Sequence, residues 1–151
     1  MPFEQKLIEA KFAMNHILPE EIPAIAQDAL EAGYDGPNLR RLSALDRPTA
    51  WETDRFLPGA KQEMDMNEID RRVACLRLSQ RLAHQMLDGT LDPIIGLARF
   101  ERFWIDGDYP IELSSLSMLA DEVEYSAAIL RPDFRSQVIA ELKELVQLKL
   151  S

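Results

Sequence analysis

Residues 30–42 read LEAGYDGPNLRRL and contain the end of one helix followed at once by the start of another. Gly33 favours the left-handed backbone conformation that commonly closes a helix, because glycine has no Cβ to clash there. Pro37 suits the first turn of the next helix, where its missing N–H leaves no helical hydrogen bond unmade. Asp35 or Gly36 is then expected to cap that second helix.

The same stop and start signals recur along the chain, with apolar residues at helical spacing between them. Long runs that alternate apolar and polar residues are absent from the sequence, so it gives no sign of strands. The sequence therefore predicts an all-α protein: a single compact irregular bundle of six to eight helices with short connections, in one domain over residues 1–151. The predicted helices cover about residues 3–18, 20–32, 37–45, 49–57, 68–87, 93–104, 113–130 and 132–150.

Particular residues set several of these boundaries. Pro19 is predicted to end the first helix, because its ring cannot follow inside a helix. Thr49-Ala50-Trp51-Glu52 has the spacing of a capping box, and Pro58 is predicted to break the short helix that this box opens. A second box, which begins at Asp65, is predicted to open the long helix that ends near Leu87.

The charge balance indicates which partners the chain favours. It carries 26 acidic and 17 basic side chains, a net charge of −9, and the excess is spread along the sequence. Such a field repels nucleic acid and anionic membranes and attracts basic proteins, although it also serves solubility alone. We therefore expect a basic protein partner, such as a toxin or effector, with no nucleic acid and no membrane; a homo-oligomer is left open.

The compartment follows from the cysteine count and the apolar runs. Cys75 is the only cysteine, so the chain forms no internal disulfide, which fits a reducing compartment. No apolar run reaches the roughly 20 residues that a membrane span needs, and no secretory signal is visible at Met1–Lys6. The sequence predicts a cytoplasmic protein.

Signatures of catalysis are sparse. The sequence has no glycine-rich phosphate loop after a strand and no cysteine pair for zinc. His84 and Asp88 are four residues apart and could share a metal, or form an ordinary pair on one helix face. Cys75 lies mid-helix, which favours a small buried side chain over a nucleophile. We expect no catalytic residue, cofactor or metal; an enzyme that uses a metal on His84 and carboxylates is an alternative.

Acidic residues beside aromatic ones mark the candidate binding surface. Carboxylates near exposed aromatic side chains suit contact with a basic protein, whereas a solvated face is the plainer interpretation of the acidic helix. Trp51 and Trp104 are expected to pack in the core. The predicted partner-binding residues are Asp106, Asp108, Tyr109, Glu122 and Tyr125.

A DNA-binding helix-turn-helix is a further alternative for the first part of the chain. The turn before Pro37 is short, and the helix that follows could present a basic patch to phosphate. The acidic balance of the whole chain opposes this interpretation. The arginines concerned are Arg40, Arg41, Arg47 and Arg55.

Three segments carry a resemblance. The run from Ala26 to Leu45 resembles the front of a group of short, acidic, helical bacterial proteins of unassigned activity. Asp88–Pro93 resembles the loop that starts a middle helix in that group, and Glu122–Asp133 its closing section. Small acidic helical proteins of this kind include immunity proteins, which neutralise a basic toxin by covering it. The resemblance brings no catalytic residue and implies a non-enzymatic interaction protein.

Overall fold

The structure is a computed structural model that describes residues 3–125 and 132–150, without the side chains of residues 124 and 125. Every regular element in these ranges is helical, which confirms the predicted all-α class. Two 3-10 turns, Pro19–Glu21 and Ile111–Leu113, lead directly into α2 and α7. The helices are α1 Gln5–Ala13, α2 Ile22–Glu31, α3 Pro37–Ser43, α4 Ala50–Glu63, α5 Arg71–Leu87, α6 Pro93–Asp106, α7 Ser114–Tyr125 and α8 Phe134–Val146.

Contacts divide the chain into two compact units, Met1–Ile69 and Asp70–Ser151. In the first unit α3 packs against both α2 and α4. In the second unit α5 packs against α6 and α8, and α6 packs against α7. The assignment of residues 1–151 to a single domain stays a prediction.

The turn between α2 and α3 forms as the sequence predicts. Gly33 has a φ of 104°, in the left-handed region, and the Tyr34 N–H donates to the Ala29 carbonyl over 3.1 Å. These two features close the helix and satisfy a carbonyl that would otherwise lack a partner. The chain then reverses, and α3 buries Leu39 and Leu42 in the core of the first unit.

A glutamate from α4 caps the start of α3. Gly36 occupies the N-cap position and has no side chain to offer, so the Glu63 carboxylate takes this role. It accepts from the Leu39 N–H at 2.9 Å, the Asn38 N–H at 3.3 Å and the Asn38 side-chain amide at 2.8 Å. A Cβ on Gly36 would lie 2.1 Å from this carboxyl group, so a larger residue there would displace the Glu63 side chain from the cap.

The prediction that Pro58 ends a short helix is wrong, because α4 continues to Glu63. Proline inside a helix removes one hydrogen bond and typically costs about 3 kcal/mol. Packing offsets this cost, since Ala60 and Met64 beyond the proline are buried in the core. Gly59 lies on the side of α4 that faces α3. A Cβ at this position would be 2.4 Å from the Asn38 amide nitrogen.

The end predicted for the first helix is also wrong. α1 ends at Ala13 rather than at Pro19, because Asn15 adopts a left-handed conformation with a φ of 56°. The His16 N–H then donates to the Lys11 carbonyl at 2.9 Å, which closes the helix. Asparagine tolerates this conformation better than most residues, so it replaces glycine as the stop signal.

The capping box predicted at Asp65 is not used. Asp65 closes α4 instead, with a φ of 53°, while the Met66 N–H donates to the Lys61 carbonyl at 3.0 Å. The next helix, α5, begins at Arg71, and the Asp70 carboxylate accepts a backbone N–H in its first turn. Two aspartates five residues apart thus serve different helices: the backbone of Asp65 closes α4, and the carboxylate of Asp70 caps α5.

In the second unit, α6 contacts α5, α7 and α8. Asp92 caps α6 by accepting the Ile94 N–H at 2.9 Å, as the aspartate before a proline suggests. Gly107 follows α6 where a Cβ would lie 2.4 Å from the Cys75 sulfur, so the two elements approach closely there. The buried side chains include Leu76, Leu82, Leu97, Phe100, Leu113, Leu116, Phe134, Val138 and Leu142. Within the described ranges, no helix is both long enough and apolar enough to cross a membrane.

The cap provided by Glu63 gives a direct test of the first unit. We expect Glu63→Ala to lower the free energy of unfolding by about 1–2 kcal/mol, because the start of α3 loses its acceptor. Glu63→Gln keeps one acceptor oxygen and should lose less. Urea denaturation measures both, with Gln62→Ala on the same helix as the control. A Glu63→Ala variant as stable as the control would contradict the role of the cap.

Candidate interaction surfaces

The turn after α6 holds its backbone in an unusual conformation. Asp108 and Tyr109 have φ values of 64° and 59°, both in the left-handed region. The Tyr109 N–H donates to the Trp104 carbonyl at 2.7 Å, which fixes the turn. A left-handed residue with a side chain costs about 1–2 kcal/mol, and a bulky residue such as tyrosine adopts it rarely. Backbone strain of this kind often occurs at functional sites.

Trp104 supports the exposed ring of Tyr109. The two ring centroids lie 4.8 Å apart with an interplanar angle of 81°, the edge-to-face geometry that aromatic pairs prefer. Tyr109 is 57% exposed, whereas Trp104, which was expected in the core, is only partly buried. The Trp104 indole N–H is buried and makes no hydrogen bond among the described residues. The pair therefore presents one aromatic ring to solvent on a fixed support.

Further apolar side chains lie exposed around this turn. Ile111 is 81% exposed and Met118 is 67% exposed. Ile111 lies in the 3-10 turn and Met118 lies seven residues later in α7, so both follow the strained turn closely in sequence. Single exposed hydrophobic residues are ordinary, but a group of them marks a surface that contacts something else. We call this group, Ile105, Tyr109, Ile111 and Met118, the apolar face.

The predicted acidic residues behave differently from one another. The Asp106 carboxylate pairs with Arg102 at 3.1 Å, and the Asp106 carbonyl accepts from Arg71 at 2.6 Å. Glu112, which is not one of the predicted residues, also forms an ion pair, with Arg72. Asp108, in contrast, is exposed and makes no ion pair within the described part of the chain. Asp108 is thus the carboxylate of this turn that remains available to an external cation.

The structure brings together three of the five predicted contact residues. Asp106, Asp108 and Tyr109 share the turn after α6. Glu122 is partly buried on α7, eight residues beyond its start, which is about 12 Å along the helix axis. Tyr125 ends α7, and its side chain lies outside the described residues. The predicted set therefore covers one turn and a separate point on the neighbouring helix.

The aliphatic part of this face was not predicted from the sequence. Ile111 lies in the 3-10 turn before α7, and Met118 lies off the buried stripe of α7, which includes Leu116, Ser117, Leu119 and Ala120. An apolar residue off the buried stripe was the signal that could have revealed them. Asp121, exposed three residues after Met118, adds a carboxylate on the same helix.

A second exposed surface lies on the first unit, where the expectation that Trp51 packs in the core is wrong. Trp51 is 66% exposed in the first turn of α4, where the capping box of Thr49 forms as predicted. The Arg55 guanidinium lies 5.1 Å from the centroid of Trp51 and 5.4 Å from that of Phe56. The guanidinium of Arg41, which belongs to α3, lies 5.2 Å from the centroid of the Phe56 ring. We call Arg41, Trp51, Arg55 and Phe56 the arginine–aromatic patch.

A cleft of about 650 Å³ also occurs in the first unit. Glu9, which is 6% exposed, lines it and accepts the Asn67 N–H at 2.7 Å. Lys61 also lines it and lies 4.6 Å from the Phe12 ring centroid. Two charged side chains of the cleft thus already have partners: a backbone N–H for Glu9 and an aromatic ring for Lys61.

The residues considered for chemistry are occupied by local interactions. The Asp88 carboxylate accepts from the Thr90 hydroxyl at 2.5 Å and from its N–H at 2.8 Å, and these bonds lower the pKa of Asp88. Among the described residues, no group of three or more histidine, cysteine or acidic side chains could hold a metal ion. Cys75 is buried and donates to the Phe103 carbonyl at 3.0 Å, and burial raises its pKa to about 11.

Comparison of the chain with protein-family models, with curated protein sequences and with solved structures finds no match. We therefore base the functional proposal on the geometry of the surfaces described above.

The strain at the turn after α6 can be tested by substitution. We expect Asp108→Gly to raise the free energy of unfolding by about 0.5–1 kcal/mol, because glycine adopts a positive φ without a Cβ clash. Asp108→Ala removes the same carboxylate but keeps the clash, so it should give no gain. Urea denaturation compares the two; equal stability of both variants would contradict stored strain.

The environment of Cys75 predicts its reactivity. At about pH 8 we expect the native thiol to react with iodoacetamide at least about 100-fold more slowly than in the unfolded chain, because a raised pKa and burial both suppress the thiolate. Mass spectrometry of timed samples, with and without denaturant, measures the two rates. Rapid labelling of the native protein would restore Cys75 as a candidate nucleophile.

Proposed function

We propose that this protein is a non-enzymatic interaction protein of the bacterial cytoplasm that binds a basic protein, such as a toxin or effector, and neutralises it by covering it. The observation that carries the proposal is the apolar face, with Ile111 81% exposed and Tyr109 held outward on a strained turn. Binding a partner that removes such a surface from water lowers the free energy of the complex.

Charge and apolar contact have separate roles in this proposal. The net charge of −9 raises the rate at which a basic partner meets the protein, as oppositely charged surfaces do. Asp108 and Asp121, both exposed, then lie beside the apolar face where they can meet lysine or arginine. Tyr109 and Met118 hold the complex after contact, because a few buried side chains usually supply most of the binding energy.

The partner expected from this chemistry has basic residues around an apolar segment. Arginine or lysine alone would leave Ile111 and Met118 in water, and an apolar segment alone would leave Asp108 without a counter-charge. The product of an adjacent reading frame is the first candidate to express, since a protein and its neutralising partner are often made together. Partner neutralisation is consistent with the resemblance described for residues 26–45.

The test compares the apolar face with a matched exposed position. Immobilised full chain is offered host lysate or the purified candidate, and a basic protein is the expected ligand. Ile111→Ser with Met118→Ser should weaken binding at least about tenfold, because the partner loses its apolar contact. Ile95→Ser, which alters a 65% exposed isoleucine near the start of α6, is the control and should bind normally.

Salt provides the second arm of the same experiment. Raising the salt concentration to about 0.5 M should slow association and leave dissociation nearly unchanged, because screening acts on the encounter. Biosensor kinetics with the captured protein separates the two rates. Binding that ignores both salt and the double substitution would count against the proposal.

A further inference from the structure

The arginine–aromatic patch brings arginine side chains of the first unit to one aromatic ring. Residues 1–69 contain four arginines, and all of them lie between positions 40 and 55. Arg41 and Arg55 both lie over the Phe56 ring, within 5.4 Å of its centroid, so two guanidinium charges are held at one side chain. Like charges placed close together favour a ligand that supplies negative charge.

These two arginines remain available for an external carboxylate. Neither makes an ion pair within the ranges that the structure describes, unlike Arg40, which pairs with Asp35. Stacking on an aromatic ring occupies the flat face of a guanidinium and leaves its N–H edge free to donate. Trp51 beside them adds a large exposed apolar surface. Tryptophan and arginine together are the residues most enriched in binding hot spots.

The apolar face of the second unit has the complementary character. It offers Tyr109, Ile111 and Met118 for contact with an aromatic ring, and Asp108 and Asp121 for pairing with arginine. We infer that the arginine–aromatic patch of one copy of this protein docks on the apolar face of a second copy. Trp51 would cover the exposed aliphatic side chains, while Arg41 and Arg55 would meet the two aspartates.

The contact joins two different surfaces, so a variant that lacks one of them keeps the other. Copies that each carry a charge of −9 repel one another, which keeps this association weak and makes it stronger in moderate salt. The inference rests on the proposed function in one respect: the apolar face is the same, so a basic partner and a second copy compete for it.

Sedimentation velocity of the full chain, at concentrations up to about 500 μM, tests self-association. The patch variant carries Arg41→Glu and Arg55→Glu, and the face variant carries Ile111→Lys and Asp121→Lys. Each should lower the association constant at least about tenfold, because each lacks one of the two surfaces. Arg99→Glu, at an exposed arginine of α6, changes charge in the same sense as the patch variant and should associate as the native chain does.

Mixing the two variants gives the decisive result. The intact face of the patch variant should bind the intact patch of the face variant, which yields a 1:1 dimer that does not grow further. A native chain that stays monomeric at all concentrations, or a mixture that stays monomeric, would overturn the inference. A labelled oligonucleotide bound by the native chain but not by the patch variant would also overturn it, by assigning the patch to phosphate.

The outcome is separable from that of the proposed function. A monomeric chain that still binds a basic protein through Ile111 and Met118 would refute self-association alone. A chain that self-associates but captures no basic protein would refute the proposed partner alone. Circular dichroism and urea denaturation of every variant confirm that it is folded before binding is compared.

Discussion

The carboxylate of Glu63 at the start of α3 is the contact on which the first unit depends. Three hydrogen bonds to Asn38 and Leu39 fix how α4 lies against α3. Both glycines at this junction follow from it, since Gly36 leaves room for the carboxyl group and Gly59 leaves room for the asparagine amide. The Glu63 cap and the packing of the core favour the same position of α4. The helix therefore continues through a proline that would otherwise end it.

Local signals in the sequence define most of the fold. Gly33, Pro37 and the capping box at Thr49 act within a few residues, so their effect can be predicted from short segments. The errors arise where a distant residue decides. Glu63, which is 27 residues from Gly36, supplies a cap that no local pattern contains, and packing beyond Pro58 overrides the usual effect of proline. Asparagine and aspartate in left-handed turns also replaced glycine as helix ends.

The candidate surfaces were predictable only in part, because exposure depends on which side of a helix finds a neighbour. Asp108 and Tyr109 were accessible to sequence reasoning, since turn residues seldom pack in a core. Trp51 was not, because a tryptophan is normally buried, and here its first-turn position on α4 leaves it outside. Ion pairing could not be predicted from the sequence either. Asp106 and Asp108 look alike in sequence, yet Asp106 is paired and Asp108 is exposed.

The placement of the two tryptophans has a spectroscopic consequence. Each unit contains one of them, Trp51 in the first and Trp104 in the second, and the chain has no others. An indole in water and an indole against a tyrosine ring emit at different wavelengths, so intrinsic fluorescence contains one signal for each unit. With Phe at either position, the remaining emission would follow a single unit through titration or melting without any attached dye.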